Sequence, residues 1–289
     1  MKRSSVRRER AIRLTGAACS LFVLAACSAT PAATTQPPAQ DAVREIRPGV
    51  LAGYLAAAEV PDSAALVPAP PAAGSAALAQ DRAVMHAALA LRGTPRFEQA
   101  TRDADLDFPF AAGTFACALG VGIDPERTPA TYRLLRRTLT DAATSTRAAK
   151  ERHRRPRPFV ENGAPTCTPA DEAALRGNGS YPSGHVAIGW TWALVLAQAA
   201  PERTDALLAR GRHFGESRLV CNVHWQSDVL QGRFMASGTF ARLQSNPAFR
   251  ADVSAAASEL AAARARGLAP ARDCAAEAKA LAQPLAGAL

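Results

Sequence analysis

The sequence predicts an all-α fold, a single-domain helical bundle, and three observations carry that expectation. The chain is rich in Ala and Leu with few β-branched runs. Pro and Gly cut it into segments of helical rather than strand length. One segment, Val186 to Ala200, is apolar nearly all round, as a helix buried on every side must be. That segment contains Gln198 and falls short of the roughly 20 apolar residues a membrane span needs.

In chain order, the first stretch carries Lys2, Arg3, Arg7, Arg8, Arg10 and Arg13 ahead of the apolar or small run Leu14 to Ala26. This is the layout of a secretory signal, so residues 1–26 are expected to be a signal peptide absent from the mature fold. Leu24-Ala25-Ala26-Cys27 has the form of a bacterial lipobox, which makes Cys27 the expected site of lipidation. The plainer alternative is an ordinary signal peptide with Cys27 a spare thiol. Removing residues 1–26 takes away six basic residues and one acidic one, so the net charge of +9 falls to about +4. Residues 27–40 are rich in Ala, Thr and Pro without apolar periodicity and read as a lipid-anchored flexible tether. The folded domain is expected over 41–289, in the periplasm and anchored to the outer membrane.

Within that domain, helices are expected from Gly74 to Leu91 and from Arg96 to Ala104, after the Pro-rich run Pro68 to Pro71. Thr128-Pro129, a cap followed by proline at the first position, starts a helix running to about His153, where Pro156 and Pro158 end it. Further helices span Ser183-Gly184 to just before Pro201, Glu202 to Val220, Trp225 to Leu243 and Pro247 to Arg266. No internal repeat is present. Cys117, Cys167, Cys221 and Cys274 are an even number in a chain bound for an oxidising compartment, so two disulfides are expected, with all three pairings open. They show neither CxxC spacing nor nearby histidines, so no zinc site is expected.

Four clusters of polar residues stand against this apolar background. Lys150 continues the row Leu139, Ala143, Thr146 at helical spacing, and Arg157-Pro158 follows it. The neighbouring Arg147, Arg152, Arg154 and Arg155 read as a solvated basic face. Pro182-Ser183-Gly184-His185 precedes the apolar helix, whose free N–H groups and dipole make its start a natural anion site. Arg218 falls on one stripe with Leu207, Gly211, Phe214 and Gly215, a packing face where a charge needs either a buried acidic partner or a ligand. His224 and Asp228 lie four apart, so on a helix start the carboxylate can hold one imidazole nitrogen and aim the other. Three cations, an anion-binding helix start, two histidines and a carboxylate are what phosphoryl transfer requires.

The pattern Lys-x6-Arg-Pro, Pro-Ser-Gly-His, Ser-Arg-x5-His-x3-Asp resembles the type 2 phosphatidic acid phosphatase superfamily, shared with the vanadium haloperoxidases. Gly179 to His185 and His224-Trp225-Gln226-Ser227-Asp228 are similar in particular to the bacterial class A nonspecific acid phosphatases. The likeness runs from about Leu66 to the helix beyond Pro247, with departures at Val186, usually threonine there, and at Asn222-Val223, where glycine and tyrosine are common. The resemblance implies the helical bundle of that superfamily and a metal-independent phosphomonoesterase that works through a phosphohistidine. It implies His224 as nucleophile, Asp228 as its orienting carboxylate and His185 as proton donor. Lys150, Arg157, Ser183, Gly184 and Arg218 would hold the phosphoryl oxygens, no cofactor is called for, and an alcohol replacing water would give phosphotransfer. Alternatives on the same scaffold are a lipid phosphate or undecaprenyl diphosphate phosphatase and a vanadate-dependent haloperoxidase. A non-catalytic basic lipoprotein would leave Pro182 to His185, Arg218 and His224 unexplained. Expected partners are phosphomonoester substrates, with no nucleic-acid-specific binding and membrane contact only through the N-terminal anchor. A homo-oligomer stays open.

Overall fold

The structure, a computed structural model, describes residues 43–288. The signal peptide, Cys27 and the tether up to residue 40 lie outside the described residues. The folded part opens with a two-stranded antiparallel ribbon, β1 (Glu45–Arg47) and β2 (Val50–Leu51), in which Arg47 faces Val50. Gly49 makes the turn possible at φ 78°. Thirteen α-helices follow among the described residues. They begin with α1 (Ser63–Leu66), α2 (Ala76–Leu89), α3 (Pro95–Arg102), α4 (Ala116–Leu119), α5 (Pro129–Ser145) and α6 (Arg147–His153). After α7 (Pro158–Asn162) and α8 (Glu172–Arg176) come the long helices α9 (Gly184–Ala199), α10 (Thr204–Val220), α11 (Gln226–Leu243) and α12 (Pro247–Ala265). The short α13 (Cys274–Leu281) ends the fold.

The helix starts are written in the sequence. Pro95, Pro129, Pro158 and Pro247 sit in the first turn of their helices, where the missing N–H costs nothing. Ser75, Ser183, Asn246 and Asp273 cap with their side-chain oxygens. The apolar α9 is the central helix of an all-α bundle, packed on α5, α10, α11 and α12. Its Trp192 is fully buried and donates Nε1–H to the Leu135 carbonyl at 2.9 Å, which joins α9 to α5. On α11, a Cβ at Gly232 would lie 2.8 Å or less from nothing but backbone, 2.7 Å from the Ser183 carbonyl, so glycine lets α11 close onto the start of α9.

Three features depart from the expectations. The expected helix from Pro129 to His153 is interrupted at Thr146, because Ser145 and Thr146 turn their hydroxyls back onto the carbonyls of Ala142 and Ala143. The helix expected from Glu202 begins at Thr204, after a 3₁₀ turn over Pro201–Arg203. The ribbon and the short helices α1, α4, α7, α8 and α13 are not among the expected elements. The cysteine pairing is resolved as Cys117–Cys274 and Cys167–Cys221. The first bridge pins α13 to α4, and the second pins the 166–168 strand of chain to the end of α10.

Candidate active site

The Lys-x6-Arg-Pro segment enters the site from α6 and the turn after it. Lys150 Nζ donates to the carbonyls of Gly179 at 2.8 Å and Ser180 at 3.3 Å, which uses two of its three N–H bonds. This contact depends on Gly179, where a Cβ would lie 2.7 Å from the Lys150 carbonyl. Arg157 is nearly buried and is held by the carbonyls of Leu175, Asn178 and Val223, at 3.1, 3.2 and 2.9 Å. Burial lowers Lys150, helped by the Arg157 charge, to about 7, and lowers Arg157 to about 10.

Ser183 caps α9, its Oγ accepting from the Val186 N–H at 3.3 Å. Among the described residues, the hydroxyl hydrogen and the N–H groups of Gly184 and His185 have no partner at the helix start, where the dipole favours an anion. Gly184 and His185 line the cleft, whereas Ser183 is fully buried one layer behind. His185 Nε2 is 3.0 Å from the Ala104 carbonyl, which can only accept, so Nε2 carries the proton and Nδ1 is the free nitrogen of the neutral ring. Burial, then the Arg218 charge, pushes His185 down to about 3.

Arg218 answers the question its stripe posed. Leu207, Gly211, Phe214 and Gly215 are buried with it, yet no carboxylate lies within ion-pairing distance of it among the described residues. Its Nη2 donates to the Ala100 carbonyl at 2.7 Å and contacts Cys221 Sγ, while its buried Nε has no hydrogen-bond partner. A buried guanidinium with an unspent donor in a cleft is equipped for an external anion. Ser217 beside it is structural: its hydroxyl bonds Asp103 at 2.6 Å and accepts from Arg96 at 2.9 Å.

His224 and Asp228 are a buried pair, not a surface one. Trp225 N–H and His224 Nδ1 meet Asp228 Oδ2 at 2.8 and 3.2 Å, and Arg157 Nη1 lies 3.1 Å from His224 Nε2. A guanidinium only donates, so Nε2 must accept and the ring proton sits on Nδ1, facing Asp228. Burial, reinforced by Arg157 and Lys150, pushes His224 well below its ordinary value, so the ring is neutral and its Nε2 lone pair points at the Arg157 guanidinium. Burial pushes Asp228 up, while Arg155 and the Trp225 N–H pull in the opposite direction.

Arg155, expected on the solvated basic face, is instead a buried neighbour of the site. It is only 8% exposed. Its Nη1 donates to Asp228 Oδ1 and its Nη2 to Asp81 Oδ2, both at 2.7 Å, and its guanidinium lies over the Trp225 ring. Asp81 in turn accepts from the Ser227 N–H and hydroxyl. The only sequence signal was Asp81 itself, an acidic residue on the buried side of an otherwise apolar helix face.

The departures from the usual pattern find their places. Asn222 has φ 64°, a conformation in which asparagine replaces glycine at modest cost, and its amide pairs with Asn162. Val223 lines the cleft, whereas Val186 is buried in the core with Val84, Leu219 and Val229.

Lys150, Arg157, Gly184, His185, Arg218 and His224 therefore line one cleft of about 530 Å³, with Asp228 behind His224. A helical bundle that gathers these groups around an anion pocket is the arrangement of a phosphoryl-transfer enzyme of the PAP2 class, and residues 134–246 match the PAP2 superfamily. The non-specific acid phosphatase of Providencia stuartii is 44% identical over 209 residues, covering 72% of this chain and 84% of that one. That of Salmonella typhimurium is 43% identical over 67% of this chain and 78% of its own length, and the acid phosphatase of Zymomonas mobilis is 41% identical over 68% and 74%. The chain belongs to the family of bacterial non-specific acid phosphatases within the PAP2 superfamily.

Proposed function

We propose that the protein hydrolyses phosphomonoesters at acid pH through a phosphohistidine on His224. The observation that carries this reading is the tautomer: Asp228 holds the Nδ1 proton and leaves Nε2 as a lone pair among cations with unspent N–H bonds. Nε2 attacks phosphorus, the P–O bond to the leaving alcohol breaks, and Asp228 stabilises the positive ring. Lys150, Arg157, Arg218 and the Gly184 N–H, with the Ser183 hydroxyl, take the charge on the phosphoryl oxygens. No metal enters these steps. His185 protonates the departing oxygen from Nδ1. Because burial and the Arg218 charge disfavour the protonated ring of His185, the proton arrives with the substrate: a phosphomonoester monoanion, the main form below about pH 6, passes it to His185 as its own charge offsets the cations. Water then gives a proton to His185 and attacks phosphorus, which releases inorganic phosphate and restores His224. An alcohol in place of water gives phosphotransfer.

The test is rapid quenching into base of the wild type with a labelled aryl phosphate, since a phosphoramidate survives base and not acid. Label should remain on the protein and vanish in His224→Ala, which should be folded and inactive. An active, folded His224→Ala refutes the reading. His185→Ala should lose alkyl phosphates more completely than 4-nitrophenyl phosphate, whose leaving group needs no proton. For location, we propose the periplasm with Cys27 as a lipid anchor, a reading supported by the two disulfides. Cys27→Ser should then move the protein from the membrane fraction to the soluble one. No helix among the described residues is long and apolar enough to cross a membrane.

A further inference from the structure

The cleft extends well beyond the groups that hold one phosphoryl unit. Its outer wall is formed by Val50, Leu106, Leu139 and Ile188, and two arginines stand on it, Arg47 on β1 and Arg147 at the start of α6. A second cavity of about 420 Å³ continues outward past Val50, Leu106, Leu139 and Phe108. An apolar wall of this size suits the organic part of a leaving group.

Arg47 and Arg147 differ from Arg136, the arginine that lines the second cavity. Arg136, in the second cavity, is held by Glu45 and the Gly49 carbonyl. Arg47 and Arg147 are exposed, and neither side chain has a hydrogen-bond or ion-pair partner among the described residues. Arg147 lies one helical turn before Lys150, where side chains three apart are about 5–6 Å apart at Cβ. An anion held there is thus about one short organic spacer away from the phosphoryl group at Lys150.

We propose that Arg47 and Arg147 form a distal anion subsite that favours phosphomonoesters whose leaving group carries a second anionic group, such as a second phosphate. The proposal rests on the phosphatase reading above. Asp107 and Asp171 also face the cleft, Asp171 near Arg218 and Asp107 on the wall shared with the second cavity. Asp107 opposes the second anion and so limits the preference.

The test compares kcat/KM for release of the 5′-phosphate from a nucleoside 3′,5′-bisphosphate and from the 5′-monophosphate, at fixed pH and ionic strength. The wild type should favour the bisphosphate, and Arg47→Ala and Arg147→Ala should each lower the ratio about fivefold, the upper range for an exposed ion pair. Added salt should lower the wild-type ratio toward that of the double variant, and Asp107→Asn should raise it. A ratio unchanged in the double variant overturns the subsite while leaving the phosphatase reading intact. Loss of binding to anionic vesicles in the double variant with an unchanged ratio also overturns it, since the arginines would then serve a surface. No turnover of either substrate by the wild type instead sinks the phosphatase reading.

Discussion

Arg155→Met is the most informative single change to the site. The substitution keeps much of the side-chain volume and the packing against Trp225 but removes the cation between two carboxylates. Asp228 is 0% exposed and Asp81 2%, and each lies 2.7 Å from a different guanidinium nitrogen. Breaking a buried ion pair by deleting one partner costs about 3–5 kcal/mol, against a total stability of about 5–15 kcal/mol for a domain. The stranded Asp228, which burial already pushes up, relieves part of that cost by taking a proton. A protonated Asp228 no longer holds the His224 Nδ1 proton as a carboxylate does, and a free imidazole tautomer misdirects the Nε2 lone pair. Each tenfold loss in rate corresponds to about 1.36 kcal/mol, so losing half of the disrupted interaction energy in the transition state lowers kcat about 10- to 100-fold. The assays are kcat and KM on 4-nitrophenyl phosphate beside urea unfolding. Arg155→Met/Asp81→Asn should recover stability, because one stranded charge is gone, without recovering kcat. A folded Arg155→Met with kcat within twofold of wild type refutes a positioning role, as does recovery of kcat in the double variant.

Three further changes address other parts of the site. Burial lowers Lys150 to about 7, so its ammonium is present below that pH and lost above it; kcat/KM should fall about tenfold per pH unit on the alkaline side, and Lys150→Arg, whose cation persists, should move that limb upward in a pH profile. Identical limbs in both proteins would rule Lys150 out as its origin. Gly179→Ala drives a methyl group against the Lys150 carbonyl and should cost about 1–3 kcal/mol in thermal unfolding and weaken inhibition by inorganic phosphate. Cys167→Ser should lose activity as well as stability, because Cys221 touches Arg218 and starts the loop that carries His224, whereas Cys274→Ser should lose stability alone; loop closure puts each bridge at about 4–5 kcal/mol.

Legibility in the sequence followed the range of the interactions involved. The apolar run of α9, the prolines and caps at helix starts, and the row Leu207, Gly211, Phe214, Gly215, Arg218 are local patterns, and the structure reproduces them. The Thr146 break was less legible because hydroxyl back-bonding competes with helix continuation only weakly in either direction. Arg155 was misplaced because it sits in a run of basic residues whose members look alike. Arg152 bonds the exposed Ala64 carbonyl, while Arg155, three positions on, goes inward to Asp81. That difference is set by the turn at Arg154, with φ 42°, and by an aspartate more than seventy residues away.

By itself the sequence determined the helical class, the segments that form the bundle, and the set of polar side chains that meet in the cleft, because each depends on spacing along one helix or on residue type. Only the tertiary structure decided how those side chains are protonated, paired and placed. The His224 tautomer needs both Asp228 and Arg157, the unspent Arg218 Nε needs the absence of a carboxylate, and the cysteine pairing needs four distant segments brought together. Spacing orders residues within a turn or two of chain, whereas protonation, pairing and free hydrogen-bonding capacity are set by what packs against a group from elsewhere in the fold.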